Sequence, residues 1–354
     1  MLRLGDHGPA VAEVRSRLAQ LGLCATTGPQ DEFDEDVDRA VRAFQQERGI
    51  SVDGIVGPET FRRLDEARWQ LGDRVLSYVP GHLMCGDDVT ELQRRLNQLG
   101  FSLGRPDGMF GPRTDAALRE FQRGVGVNPD GTCGPDTFRA FDRLVRAVSG
   151  GNATALREHA TVLDLQTGVG DKVVVLDPGD IPDPGSELDG DDPCHAIAVR
   201  VEGRLAALGT QVVLTRAARA YSPDDVARAE FANKVDADLV VSIHVDWAPS
   251  PLPHGLATFY FGDARGGSHS PAGRELAELL HAEITSRTDV LDCRTQARTW
   301  DMLRLTRMPA VRLELGYLSN EEDRRRLGST AFQDAVAEAI ASGIAGFCSP
   351  RSHW

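Results

Sequence analysis

The chain has 354 residues, 41% of them hydrophobic and 26% charged, with a formal net charge of −14 at pH 7. That length exceeds one compact core and points to two or three domains of ordinary globular composition. The acidic balance argues against nucleic acid or an anionic membrane surface as partner, and no apolar run approaches the roughly 18 residues that span a bilayer.

The chain opens MLRLGDHGPAVAEV, without a basic n-region, an apolar h-region or a small-residue cleavage site, so a cytoplasmic location is expected. Cys24, Cys85, Cys133, Cys194, Cys293 and Cys348 form no CxxC and have no neighbouring Cys/His pair. They are expected to be free thiols in a reducing compartment, serving as small buried hydrophobes.

The first half repeats itself. DGIVGPETF (Asp53–Phe61) and DGTCGPDTF (Asp130–Phe138) stand 77 residues apart, as do VRAFQQERGI (Val41–Ile50) and LREFQRGVGV (Leu118–Val127). VAEVRSRLAQLG (Val11–Gly22) matches VTELQRRLNQLG (Val89–Gly100) with one residue of slippage. Each unit reads as three helices. Val11, Val14, Leu18 and Leu21 fall at helical spacing, as do Val89, Leu92, Leu96 and Leu99. Val37, Val41 and Phe44 mark a second helix, matched by Ala117, Leu118 and Phe121. Pro58 and Pro135 suit the first position of a third, where a missing N–H costs nothing.

These words closely resemble the peptidoglycan-binding type 1 domain. The second copy keeps the middle motif as Pro106-Asp107-Gly108-Met109-Phe110-Gly111-Pro112-Arg113-Thr114. In the first copy it is eroded to PQDEFDEDV (Pro29–Val37), with Phe33 at the Phe110 position. The resemblance covers nearly all of residues 2–144 and assigns repeats to 2–74 and 76–147. It implies binding to cell-wall glycan or stem peptide. The same glycines and aspartates also serve a purely architectural reading, as turn residues of a three-helix unit.

Residues 148–171 read as a linker, opening on the small polar run Val148–Thr154, with a short helix around Leu156–Leu165. Strands and helices then alternate over 172–349, the mark of an α/β domain with a mostly parallel sheet. Val173–Leu176 reads as a strand buried on both faces, stopped by Asp177-Pro178-Gly179, and Asp180 follows at the edge where such sheets place their sites. Pro193–Leu208 is a helix, Gln211–Thr215 a strand, and Ser222-Pro223 opens a helix running to Val235. Strands Leu239–His244 and Leu256–Phe261, helix Pro271–Arg287, strand Ala310–Leu315 and helix Thr330–Phe347 complete the domain. The glycine-rich run Gly262–Gly267 lacks a phosphate-binding frame, and there is neither a P-loop nor a GxSxG.

VVLDPG (Val174–Gly179), RVEGRLAALG (Arg200–Gly209), ADLVVSIHVD (Ala237–Asp246) and MPAVRLELGYLSNEED (Met308–Asp323) together resemble the amidase type 3 family. These are zinc-dependent N-acetylmuramoyl-L-alanine amidases that cut between the sugar lactyl group and the stem peptide. The resemblance implies three protein ligands on zinc, an open water position and a glutamate base. The first ligand position holds Asp180 in place of histidine. The second falls on Gly190, with Asp189 and Asp191 as possible substitutes. The third holds His244, and the base position holds Glu314. Each has an architectural reading too: His244 as a hydrogen-bonded strand-end residue, Asp180 as a turn aspartate, Glu314 paired with an arginine such as Arg304 or Arg312.

Two wall-binding repeats ahead of an altered amidase domain resemble the CwlM group of mycobacteria and related actinobacteria, as does CRTQARTWDMLRLTRMPAV (Cys293–Val311). That resemblance implies a cytoplasmic regulator of peptidoglycan precursor synthesis, acting through a MurA-type enzyme under serine/threonine protein kinase control. Members carry a further tail where phosphorylation is placed. This sequence runs to Trp354, soon after the last helix, which puts phosphorylation by that same route in doubt. The leading expectation is a catalytically degenerate amidase that binds peptidoglycan, its precursors or partner proteins and needs no cofactor. An active zinc amidase and a plain wall-binding protein are the alternatives.

Overall fold

The computed structural model describes all residues except 25–29, 102, 146–161, 163–164, 182–191, 218–222, 263–268 and 351–354. The chain divides into two units, Met1–Leu156 and Arg157–Trp354. The first unit holds the repeats. Helices α1 (Pro9–Gln20), α2 (Glu35–Arg48) and α3 (Pro58–Glu66) form one; α4 (Asp87–Gln98), α5 (Pro112–Val125) and α6 (Pro135–Val145) form the other. The apolar positions read from periodicity are the cores: Val11, Val14, Leu18, Val37, Val41 and Phe44 in the first, and Val89, Leu92, Leu96, Leu118 and Phe121 in the second, all fully buried. Each repeat also clips its start to its end, Leu2 to Val56 and Leu76 to Cys133, by paired backbone hydrogen bonds.

The DGxxG loops are held from inside by a buried glutamine. In the second repeat Gln122 Nε2 donates to Asp130 Oδ1 (3.2 Å), the Thr132 carbonyl (3.0 Å) and Thr137 Oγ1 (3.1 Å), while its Oε1 accepts from Gly131 N–H (2.9 Å). Gln45 does the same for Asp53, Gly54, Ile55 and Thr60, and Gln93 for Asp107, Gly108, Met109 and Thr114. The glycine in each loop adopts a left-handed φ of +72° to +75°, a region that side chains resist. A Cβ on Gly131 would also strike the Arg119–Asp115 ion pair. In the eroded motif of the first copy, Arg15 stands where the second copy has Gln93, and Asp34 where it has Gly111. Arg15 is 1% exposed and pairs with Asp34, whose other oxygen caps α2 at Val37 N–H (2.9 Å). The lost loop is thus replaced by a buried ion pair. Between the repeats, Arg48 at the end of α2 makes a two-pronged pair with Asp87 at the start of α4 (2.9 and 2.8 Å).

The second unit is a sheet with helices on both faces. Its strands are β1 (Val173–Pro178), β2 (Gln211–Leu214), β3 (Leu239–Asp246), β4 (Leu256–Phe261), β5 (Asp292–Arg298) and β6 (Ala310–Tyr317). The order is β2-β1-β3-β6-β4-β5; β2, β1, β3 and β6 run parallel, β4 is antiparallel to β6, and β5 parallel to β4. Helices α7 (Pro193–Ala206), α9 (Pro271–Arg287) and α12 (Thr330–Cys348) bury Ile197, Val201, Leu276, Leu280, Val336 and Ile340 against one face. Toward the other lie α8 (Asp225–Lys234) and the short α10 (Asp301–Leu305), which pack together. A further helix, α11 (Glu321–Leu327), follows β6.

Several elements differ from expectation. β1 continues through Asp177 and Pro178, which pair in register with Ser242 and Ile243. The cap of α8 is Asp224, accepting from Ala227 N–H, rather than Ser222. β5, α10 and α11 were not anticipated. DCRTQAR carries no apolar alternation, because an edge strand buries too little to need it, and helices of five and seven residues are too short to show a period. The helix expected around Leu156–Leu165 falls largely outside the described residues.

The glutamine clamps set a test of the repeats. Gln122→Ala leaves the Gly131 N–H and three acceptors without their buried partner, which costs about 1–3 kcal/mol. Urea denaturation of the full chain should show the repeat transition displaced to lower urea by that amount.

Candidate functional site

Strand alternation decides which side chains meet. Val174 and Leu176 of β1, Val241 and Ile243 of β3, and Val311 and Leu313 of β6 point into the apolar core. Their neighbours Asp177, Ser242, His244, Arg312 and Glu314 therefore share the opposite face. Register aligns them: Asp177 is the Cα partner of Ser242, and His244 of Glu314. All lie toward the carboxyl ends of the parallel strands, where open α/β sheets bind ligands.

Asp177 is the hub. It is fully buried. Its Oδ1 accepts from Thr215 Oγ1 at 2.5 Å; its Oδ2 accepts from Ser242 Oγ and faces Arg228 Nη1 at 3.4 Å. His244, 7% exposed, places Nε2 2.9 Å from Ser242 Oγ, 3.5 Å from Arg228 Nη1 and 3.8 Å from Asp177 Oδ2. Burial alone would push the Asp177 carboxyl up. The His244 contact, the Arg228 charge and the Ser242 hydroxyl outweigh it and hold the group well below the usual carboxylate range. Gly179 has to be glycine, because a Cβ there would collide with the His244 ring.

Three arginines bind the acidic groups of this edge. Arg228 of α8 is 4% exposed, donates Nε to the Pro223 carbonyl (2.7 Å) and brings Nη2 to 3.5 Å from Asp180 Oδ2. Arg216, past β2, donates to the Pro178 and Gly179 carbonyls (2.8 and 2.5 Å) and pairs with Asp192. Asp192 in turn caps α7, accepting from Cys194 and His195 N–H. Arg312 grips Glu314 Oε1 through Nε (2.7 Å) and Nη2 (2.5 Å) and lies over the Trp300 ring. Arg304, the other candidate partner of Glu314, pairs with Asp301 instead. Glu314 Oε2 is buried with no protein hydrogen bond. Burial, then the Glu314 charge, raises the carboxyl of nearby Asp246; burial, then Asp246 and Glu314, pushes the Tyr317 phenol up to about 12.

Of the residues singled out from sequence, Asp180 and His244 are brought to one guanidinium, and Glu314 stands on the strand beside His244. Asp189, Gly190 and Asp191 lie outside the described residues. Asp177, Asp192, Arg216, Arg228 and Ser242 were missed. The one sequence signal for Arg228 is its place four residues before Ala232, on a helix stripe that is otherwise small and apolar. Among the described residues no three His, Cys, Asp or Glu side chains are arranged to hold a metal ion. Of the three converging ligands a tetrahedral zinc site needs, the described residues supply Asp180 and His244 as candidates, and both face the Arg228 guanidinium.

Comparison with known proteins places this geometry. Residues 174–346 match the family "N-acetylmuramoyl-L-alanine amidase", and residues 7–64 and 85–141 match "Putative peptidoglycan binding domain". N-acetylmuramoyl-L-alanine amidase CwlM of Mycobacterium tuberculosis is 42% identical over 360 residues, covering 97% of this chain and 88% of that one. The chain belongs to the N-acetylmuramoyl-L-alanine amidase family, in its CwlM-like form. The amidase CwlL of Bacillus licheniformis is 30% identical over 166 residues, covering 41% of this chain and 46% of its own length. The solved N-acetylmuramoyl-L-alanine amidase of Clostridium difficile 630 is 26% identical, covers 50% of this chain and 97% of its own, and superposes with a TM-score of 0.46.

Two outcomes follow from this edge. Asp177→Asn leaves Arg228 buried beside a neutral amide, a loss of about 3 kcal/mol at pH 7. Because the folded carboxyl lies below its unfolded value, its contribution is present above about pH 4 and lost as pH falls. The difference in urea midpoint between wild type and variant should be full at pH 7 and smaller, though still present, at pH 3. Absorbance titration at 295 nm should show a phenol ionising near pH 12 that Tyr317→Phe removes.

Proposed function

We propose that this chain is a catalytically degenerate amidase-fold protein that regulates peptidoglycan synthesis instead of hydrolysing peptidoglycan. The observation that supports this is Arg228, whose guanidinium stands 3.5 Å from both Asp180 Oδ2 and His244 Nε2, the two family ligand positions that the structure describes. Glu314, at the base position, has one oxygen already engaged by Arg312. The amino-terminal repeats supply recognition of peptidoglycan or its precursors. The CwlM-like arrangement supports a cytoplasmic role, a MurA-type enzyme as partner and control by a serine/threonine protein kinase.

One observation favours an active zinc amidase. His244 and Glu314 remain partners on adjacent strands, and Glu314 Oε2 has no protein hydrogen bond, leaving an oxygen able to take a proton from water. Asp180, with Asp189 or Asp191, would join His244 as ligands; the metal would supply Lewis acidity and a water of pKa about 7.

Purified full-length protein, equilibrated with zinc, is expected to carry it well below one equivalent and to release no L-alanine amino termini from muropeptides. Stoichiometric zinc that His244→Ala abolishes, together with cleavage, would overturn the regulatory reading.

A further inference from the structure

One cation on the site face has no acid to answer it. Phe259 is the register partner of Arg312 across β4 and β6, and its ring packs against Trp300 at 4.6 Å. It therefore lies on the face that carries His244 and Glu314. The Arg298 guanidinium, at the end of the edge strand β5, sits 5.2 Å over that ring. Its Nη1 donates to the Ala297 carbonyl and its Nη2 to Gln296 Oε1, both at 2.9 Å. Both acceptors are neutral. The three arginines of the site edge each meet a carboxylate: Arg216 has Asp192, Arg228 has Asp177 and Asp180, and Arg312 has Glu314. Among the described residues no carboxylate pairs with Arg298. It is half-buried, and burial pulls its guanidinium down with no acidic neighbour to offset the effect. The head group is held in place, yet Nε–H and one hydrogen on each Nη remain to donate. Such a planar set of donors takes a carboxylate with two parallel hydrogen bonds.

Register gives the distance from the site edge. Glu314 of β6 pairs with Ala257 of β4, and Phe261 of β4 pairs with Arg298 of β5. Arg298 is thus two strands across and four residues along from Glu314, roughly 16 Å at about 4.8 Å per strand and about 3.3 Å per residue. Ala257 and Gln296, which lie between them, are half-exposed. An extended peptide covers that span in about five residues. We propose that Arg298 is a carboxylate-binding site that holds the free carboxyl end of a short peptide, about five residues long, whose other end lies at the His244–Glu314 edge. This rests on the reading of the chain as one that binds peptidoglycan or its precursors. It names what the second unit takes: a stem peptide whose carboxyl end is not joined to another strand. A phosphate fits less well, because its second charge asks for more donors than one guanidinium supplies. Arg298 performs no chemistry here; it selects the end group and the length of the ligand.

Titration calorimetry on the full chain tests this, with a synthetic stem pentapeptide ending in D-Ala-D-Ala as the probe, supplied as the free acid or as the carboxyl-terminal amide. The wild type should bind the acid about tenfold more tightly than the amide, the scale of one charge-assisted contact. Arg298→Gln keeps a donor and loses the charge, and should bind acid and amide alike. Arg298→Lys should recover part of the preference. Arg294→Gln removes an exposed charge from the same strand and should leave the preference intact. Arg298→Met, which keeps the apolar stem over Phe259, replaces the glutamine variant if far-UV circular dichroism shows the latter unfolded. A tripeptide acid with the same carboxyl end is too short for the span and should bind several-fold more weakly than the pentapeptide acid. Equal affinity for acid and amide in the wild type overturns the proposal, as does a preference that survives the loss of Arg298 or one that Arg294→Gln removes equally. Absence of binding at millimolar peptide overturns it too. Equal affinity for tripeptide and pentapeptide acids overturns the reach to Glu314. Muropeptide cleavage would sink the regulatory reading and leave this result untouched, because the pentapeptide has no sugar–peptide bond to cut.

Discussion

A single buried carboxylate organises the second unit. Asp177 has no exposure, and a charge so placed has to be paired and hydrogen-bonded or the fold loses several kcal/mol. Its partners come from the segment past β2 (Thr215), from β3 (Ser242, with His244 beside it) and from α8 (Arg228). Meeting that requirement fixes how α8 lies over the sheet. It also sets where the Arg228 head group goes, and hence what Asp180 and His244 face. Gly179 contributes by leaving space for the His244 ring. The candidate site is in this sense a consequence of neutralising one strand-end aspartate.

Arginine–carboxylate pairs hold the backbone in both units. Where the first repeat has lost its DGxFG loop, Arg15 and Asp34 replace a glutamine and a glycine and pair with each other. In the second unit Arg228 faces Asp180, and Arg216 holds Asp192, the capping residue of the helix that follows. In each place an arginine–carboxylate pair with at least one buried partner holds the local backbone. Such pairs add little net stability over apolar packing, but they are demanding of geometry, since either partner alone is a buried charge.

The repeats carry a related lesson. The words that identify them, Asp-Gly, Gly-Pro and the following threonine, are consumed in holding the loop: the aspartate and threonine bind the buried glutamine, and the glycine supplies a left-handed φ. The motif therefore reports architecture. Residues that recognise a wall ligand have to be sought on the surface around these loops, outside the words that name the family.

Much of this molecule was legible in the residues alone because it is local. Helix periods, proline starts, the DGxxG turns and the valine-rich strands each depend on neighbours a few positions away, and the structure has them where the patterns put them. Asp180, His244 and Glu314 could be singled out equally well, since a motif is read position by position. Tertiary structure alone decided what those residues face. Arg228 lies 51 residues from Asp177, and Arg216 lies 24 from Asp192; no spacing rule links them, because the sheet register and the packing of α8 bring them together. Glu314 had two arginines as candidate partners at the level of sequence. Strand alternation chose Arg312, two residues away on the same face, and left Arg304 to Asp301 on its own short helix.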